Sequence, residues 1–77
     1  MKLEINYYGV LSDLTGQSQE IVELETPTVA FLFEILYLRY PQLKTTIFKV
    51  ASENQIIDND ATITTASISL LPPFSGG

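Results

Sequence analysis

Ser67-Ile68-Ser69-Leu70-Leu71-Pro72-Pro73-Phe74-Ser75-Gly76-Gly77 is an alternating strand that runs straight into two prolines and ends on two glycines. Ile68 and Leu70 share one face of that strand, and Ser67, Ser69 and Leu71 the other. Pro72 and Pro73 lack an N–H and hold φ near −65°, so strand pairing has to stop there and the chain continues extended. Residues 73–77 therefore read as a projecting tail on a body formed by residues 1–72. At full extension its five residues span roughly 16–18 Å, enough to reach into the active site of another protein. Gly76 and Gly77 present no side chain, so only a thin peptide leads to the terminal carboxylate. A glycine-rich end is otherwise just a frayed terminus. An apolar strand leading directly into Pro-Pro-Phe argues instead for an aimed arm.

A strand of this kind needs a partner, and the other end of the chain supplies one. Lys2 to Tyr8 alternates, with Leu3, Ile5 and Tyr7 on one face and Lys2, Glu4, Asn6 and Tyr8 on the other. After Gly9, Val10 to Gly16 fits about one helical turn, with Leu11 and Leu14 three residues apart. A second strand spans Gln19 to Glu25, with Val22 and Leu24 inward and Ile21 as an outward exception. Thr28 is placed to cap the long helix that Pro41 stops. Its stripe of Val29, Leu32, Phe33, Leu36 and Tyr40 belongs on a sheet. Phe31, Ile35 and Leu38 form a second line, read as loop cover or single surface residues. Ile47 to Ala51 is a third strand, Ser52 to Gln55 a turn, and Ile56-Ile57 a short apolar segment. Asp58-Asn59-Asp60 reads as a turn held by side-chain to backbone bonds rather than as a metal site.

Strand, strand, helix, strand, strand in 77 residues is an α+β pattern: a mixed sheet of four to five strands with one main helix across a face. Placing the first and last strands side by side and parallel at the centre gives the ubiquitin-like β-grasp. By parity Tyr8 and Leu71 then lie on the solvent side near the root of the tail, with Phe74 beside them. That patch reads as a docking surface, and Ile57 is counted among its residues.

Composition narrows the function. The chain has no Cys and no His, which excludes disulfides, a thiolate nucleophile and the commonest general base and metal ligand. Nine Asp and Glu against four Lys and Arg leave a net charge of −5, which argues against nucleic acid or an anionic membrane and for a basic protein partner. Met1-Lys2-Leu3-Glu4 opens no apolar leader, so a cytoplasmic protein is expected.

The ending Ile68 to Gly77 resembles the small, sulfur-carrying subunit of molybdopterin synthase, whose members close on an apolar strand, Pro-Pro, an apolar residue, a small residue and Gly-Gly. Tyr7 to Gly16, the Pro27-Thr28-Val29 helix entry and Val50 to Asn54 extend the likeness along nearly the whole chain. Thr64-Thr65-Ala66-Ser67 stands where that family usually has an acidic turn, and Ser12 where it often has a basic residue. The resemblance implies a chain that is not an enzyme alone and binds no cofactor. A separate activating enzyme would use ATP to adenylate the carboxylate of Gly77, and sulfur would then replace AMP to leave a thiocarboxylate. The tail would next enter the large catalytic subunit, within a heterotetramer, and pass its sulfur to a cyclic pyranopterin phosphate. Gly77 would carry the reacting atom and Gly76 give clearance, while Pro72, Pro73, Phe74 and Ser75 position the tail. The rival readings are a β-grasp carrier feeding thiazole or tRNA thiolation, a protein-conjugating modifier, and a plain interaction module with an inert tail.

Overall fold

The computed structural model describes residues 1–73. Its centre is the parallel pair of β1 (Lys2–Tyr7) and β5 (Ser67–Leu71), in register Ile5 with Ile68 and Tyr7 with Leu70. β2 (Gln19–Glu23) flanks β1 antiparallel, β3 (Lys49–Ser52) flanks β5 antiparallel, and β4 (Gln55–Ile57) closes the far edge. The strand order is β2-β1-β5-β3-β4, a mixed five-stranded β-grasp sheet where the sequence led to four to five strands.

One face of the sheet carries the core. Leu3, Ile5, Tyr7, Val22, Val50, Ile68 and Leu70 are buried there. Against them lies α2 (Val29–Arg39), which buries Val29, Leu32 and Leu36. The Thr28 hydroxyl caps this helix by accepting from the Phe31 N–H at 3.2 Å, as its position predicted. Pro41 opens a 3₁₀ turn through Thr45 that buries Leu43. Of the second helical line, Phe31 and Ile35 pack on the margin of the core and Leu38 stands 85% exposed. α1 (Val10–Thr15) buries Leu11 and ends on Gly16, whose φ of 75° is the left-handed cap that glycine adopts without strain.

Two expected boundaries move. β3 begins at Lys49 rather than Ile47, and Ile47 is exposed. Lys49 pairs with Leu71, so the same register continued would set Phe48 and Ile47 against Pro72 and Pro73, which have no N–H to offer. β2 ends at Glu23, yet Leu24 remains buried because it exchanges backbone bonds with Met1, 2.7 and 2.6 Å. The Glu53-Asn54 turn has φ of 51° and 67°, the left-handed pair of a two-residue hairpin, and it fixes β4 against β3. Asp58-Asn59-Asp60 is a turn closed by the Ala61 N–H on the Asp58 carbonyl at 3.1 Å. Among the described residues no group of three or more His, Cys, Asp or Glu is placed to hold a metal, and no helix is long and apolar enough to cross a membrane.

The helix makes a test of this packing. Leu36→Ala should cost about 2–5 kcal/mol in urea unfolding, because it empties a fully buried site. Leu38→Ala, two residues on, should stay within about 0.5 kcal/mol of the parent. Similar losses at both positions would mean that the helix is rotated from the orientation described.

Candidate functional site

Among the described residues no helix covers the face of the sheet turned away from α2. Across it runs a row of register partners, Ile56, Ala51, Ser69, Asn6 and Gln19. The side near β2 is polar and internally bonded. Asn6 Nδ2 donates to Ser67 Oγ and to the Ile68 carbonyl, each at 3.1 Å, and Gln19 Nε2 donates to Asn6 Oδ1 at 3.1 Å. Ser67 Oγ donates in turn to Glu4 at 3.2 Å. These groups satisfy one another, so this half of the face is a closed polar lattice.

The other half is a shallow apolar groove. Tyr8 is 49% exposed and Ile56 55%, and with half-buried Leu71 they line it over Ala51 and Ser69 and beside Thr65, Ala66 and Ser67. Glu53 and Asn54 also line it, from the β3–β4 turn. Tyr8 and Leu71 thus come together beside the end of β5, where the tail begins, as parity required. Ile57 does not join them. It pairs with Val50 and packs against the core, whereas Ile56 pairs with Ala51 and faces the groove. Ile57, expected beside Tyr8 and Leu71, is thus placed on the core side, and Ile56 lines the groove in its stead. The turn decides it: two residues between Ser52 and Gln55 put Ile57 opposite a buried valine, and Asn54, a residue tolerant of positive φ, was the sequence signal for that turn.

Thr64 to Ser67, the departure from the usual acidic turn, is held by hydroxyls. Thr65 Oγ1 donates to the Ser67 carbonyl at 2.9 Å and lies 2.8 Å from Ser52 Oγ. The turn leading into β5 is thus pinned to β3 without a carboxylate. At the other end of β5, Pro72 is half-buried and Pro73 exposed. Phe74, Ser75, Gly76 and Gly77 lie outside the described residues.

Beneath the tail root, on the core side, is a polar cluster that the sequence did not announce. Tyr7, the register partner of Leu70, donates its hydroxyl to Glu20 Oε1 at 2.6 Å. The Tyr40 hydroxyl donates to the same oxygen at 3.1 Å and accepts from Gln17 Nε2 at 2.8 Å. Arg39 Nη1 meets Glu20 Oε2 at 2.6 Å. The Tyr7 and Tyr40 rings meet edge to face at 6.3 Å. The cluster ties the last turn of α2 and strand β2 to the end of β1. Burial by itself pushes the Glu20 carboxyl upward, but the bonds from Tyr7, Tyr40 and Arg39 together outweigh it and hold the carboxyl below its usual range. Burial first, and then the bond to Glu20, push both tyrosine hydroxyls up.

The family model that describes the ThiS family matches residues 5–77. The fold also resembles several solved structures. A putative molybdopterin converting factor subunit 1 from Pyrococcus furiosus superposes with a TM-score of 0.81 at 19% identity, over 96% of this chain and 99% of that one. SAMP1 from Haloferax volcanii gives 0.77 at 20% identity with both chains fully covered. A protein–protein complex of subunits 1 and 2 of molybdopterin-converting factor from Helicobacter pylori gives 0.71 at 24%, again with full coverage of both chains. At these identities the likeness is one of fold. The chain belongs to the ThiS family. It is a sulfur carrier of the ubiquitin-like β-grasp type.

The Glu20 cluster predicts a pH dependence. A carboxyl whose folded-state pKa is depressed stabilises the fold fully above its unfolded value, about 4.3, and loses that contribution as pH falls through the lower folded value. Glu20→Gln should therefore be less stable than the parent by about 1–2 kcal/mol at neutral pH. The gap should close as the pH drops below about 4. Urea unfolding of both chains across that range checks it, and a gap independent of pH would contradict the assignment.

Proposed function

We propose that this chain is the sulfur-donating subunit of a molybdopterin synthase. The observation that carries the reading is the continuity of groove and tail. The apolar groove of Tyr8, Ile56 and Leu71 sits at the point where β5 gives way to Pro72 and Pro73, so a partner gripping the groove would take in the tail as well. The ending Pro72-Pro73-Phe74-Ser75-Gly76-Gly77 supports this pathway over thiazole or tRNA thiolation, and likenesses to molybdopterin converting factor subunits agree with it.

A free carboxylate does not exchange oxygen for sulfur at neutral pH, because its leaving group is poor. In this account the activating enzyme binds the groove and uses ATP to convert the Gly77 carboxylate to an acyl-adenylate, with pyrophosphate leaving. A sulfide-level sulfur nucleophile then attacks the acyl carbon, the bond to AMP breaks, and a thiocarboxylate remains. The thiocarboxylated tail enters the large subunit, which docks on the same groove, and there gives its sulfur to the pyranopterin. The chain itself supplies position and a thin approach: Gly76 and Gly77 bring no side chain near the reacting carbon. Its net charge of −5 suits a basic partner surface. The same surface serves two partners in turn, so the carrier must leave one before meeting the other.

A second reading, that of a protein-conjugating modifier, is favoured by the likeness to small archaeal modifier protein 1 of Haloferax volcanii. In that case the activated glycine would end in an amide bond to a lysine.

Reconstitution with a large synthase subunit separates docking from chemistry. A chain lacking Gly76 and Gly77 should melt like the parent and still bind the large subunit, yet convert no pterin. Leu71→Ala and Ile56→Ala should weaken that binding by roughly 1–3 kcal/mol while remaining folded. Ile57→Ala should instead lose stability. Full conversion by the truncated chain would overturn the proposal, and lysine-linked products in place of pterin conversion would establish the modifier reading.

A further inference from the structure

Between Tyr8 and α1 the chain makes a tight turn directly beside the root of the tail. The Leu11 N–H reaches the Tyr8 carbonyl at 3.1 Å, which makes Gly9 the first central residue of a four-residue turn. Its φ of 58° and ψ of −131° are those of a type II′ turn, a combination that glycine adopts freely and L-residues do not. Ser12 fixes the peptide, since both its N–H and its hydroxyl donate to the Gly9 carbonyl, at 3.1 and 3.0 Å.

The turn is also crowded from outside. A Cβ on Gly9 would lie 3.0 Å from Cγ of Pro72 and 3.9 Å from its Cβ and Cδ, so the proline ring rests on the bare glycine backbone. One residue away the Tyr8 N–H bonds the Leu70 carbonyl at 3.3 Å, which closes the β1–β5 ladder next to this contact. Pro72 follows the last strand residue and has no N–H to continue the ladder. With no N–H to bond, its fixed φ and the packing of its ring direct the chain.

We propose that Gly9 is a positioning residue for sulfur transfer: its missing side chain forms the seat for the Pro72 ring, and that contact sets the direction in which the tail leaves the sheet. The claim rests on the sulfur-carrier reading for its consequence in rate, but not for its geometry. Gly9 touches neither the terminal carboxylate nor ATP. It acts through Pro72, and a change there redirects a tail whose own residues are intact. Misplacing a reacting group by about 1 Å costs on the order of a hundredfold.

The absence of native cysteine allows a direct test. Nitroxide labels at Leu38→Cys, on the exposed side of α2, and at Ser75→Cys report the distance from body to tail by pulsed electron spin resonance. In this doubly labelled chain Gly9→Ala is expected to displace the distance distribution. In the unlabelled chain it is expected to lower kcat for thiocarboxylate formation roughly ten- to hundredfold, with KM for the activating enzyme held within about twofold. In a Pro72→Ala background, where the ring is gone, the same substitution should cost less than about twofold in kcat, although the strain of an L-residue at positive φ persists and lowers the melting temperature in both backgrounds. An unshifted distribution, or an equal kcat loss in both backgrounds, would overturn the proposal. Should Gly9→Ala fail to fold, Pro72→Ala alone, which introduces no strain, must displace or broaden the distribution, and an unchanged one refutes the seat. A parent chain that forms no thiocarboxylate would instead sink the carrier reading, while the label distances would still decide the role of Gly9.

Discussion

The pairing of β1 with β5, and the two prolines that end it, constrain everything else in the molecule. Parallel neighbours cannot be joined by a short hairpin, so the residues between them have to cross over. Here the crossover carries α2 and the 3₁₀ turn, which cover the core side of the sheet. Because β1 and β5 are central, every residue on them is committed to one face or the other. Pro72 then fixes where pairing ends, on β1 through the Tyr8–Leu70 bond and on β3 through the Lys49–Leu71 pair. Pro72 and Pro73 thus follow the point where β1 and β5 end and β3 starts.

The two faces divide the labour. The core side holds Leu3, Ile5, Tyr7, Ile68 and Leu70, with the Glu20 cluster as a polar brace at its end nearest the tail. The brace is the reason Tyr7 is a tyrosine in a row of aliphatic residues: its ring is buried and its hydroxyl reaches a carboxylate on the neighbouring strand. Among the described residues the open side is part polar lattice and part apolar groove, and the groove reaches Leu71, the last residue of β5. A partner that desolvates the groove gains apolar burial without breaking hydrogen bonds, since the lattice beside it is already satisfied.

Alternation made the central strands legible, because period two has no competing reading over Lys2–Tyr7 and Ser67–Leu71. Cap chemistry made α2 legible through Thr28 and Pro41. Ile56 and Ile57 were harder, since two adjacent isoleucines carry no alternation and their sides depend on a turn two residues long. Ile47 misled because it looks like the start of a strand, while the limit on that strand lies in Pro72 and Pro73, more than twenty residues away in sequence. The Glu20 cluster joins β1, β2 and the end of α2, and no local pattern points to a contact made of three elements. The seat under Pro72 was hidden for the same reason: Gly9 reads as a strand breaker, which it is, and its second role appears only when the last strand is laid beside the first.

The central claim is that a rigid sheet presents a thin tail for chemistry at its terminal carboxylate. Intact-mass spectrometry of the chain after incubation with ATP, an activating enzyme and a sulfur donor tests it most directly. The account predicts a mass gain equal to one oxygen replaced by sulfur, carried by the C-terminal peptide, dependent on ATP and lost on removal of Gly77. An unmodified mass under conditions in which a known carrier is converted, or a gain located anywhere but the C-terminal peptide, would contradict it.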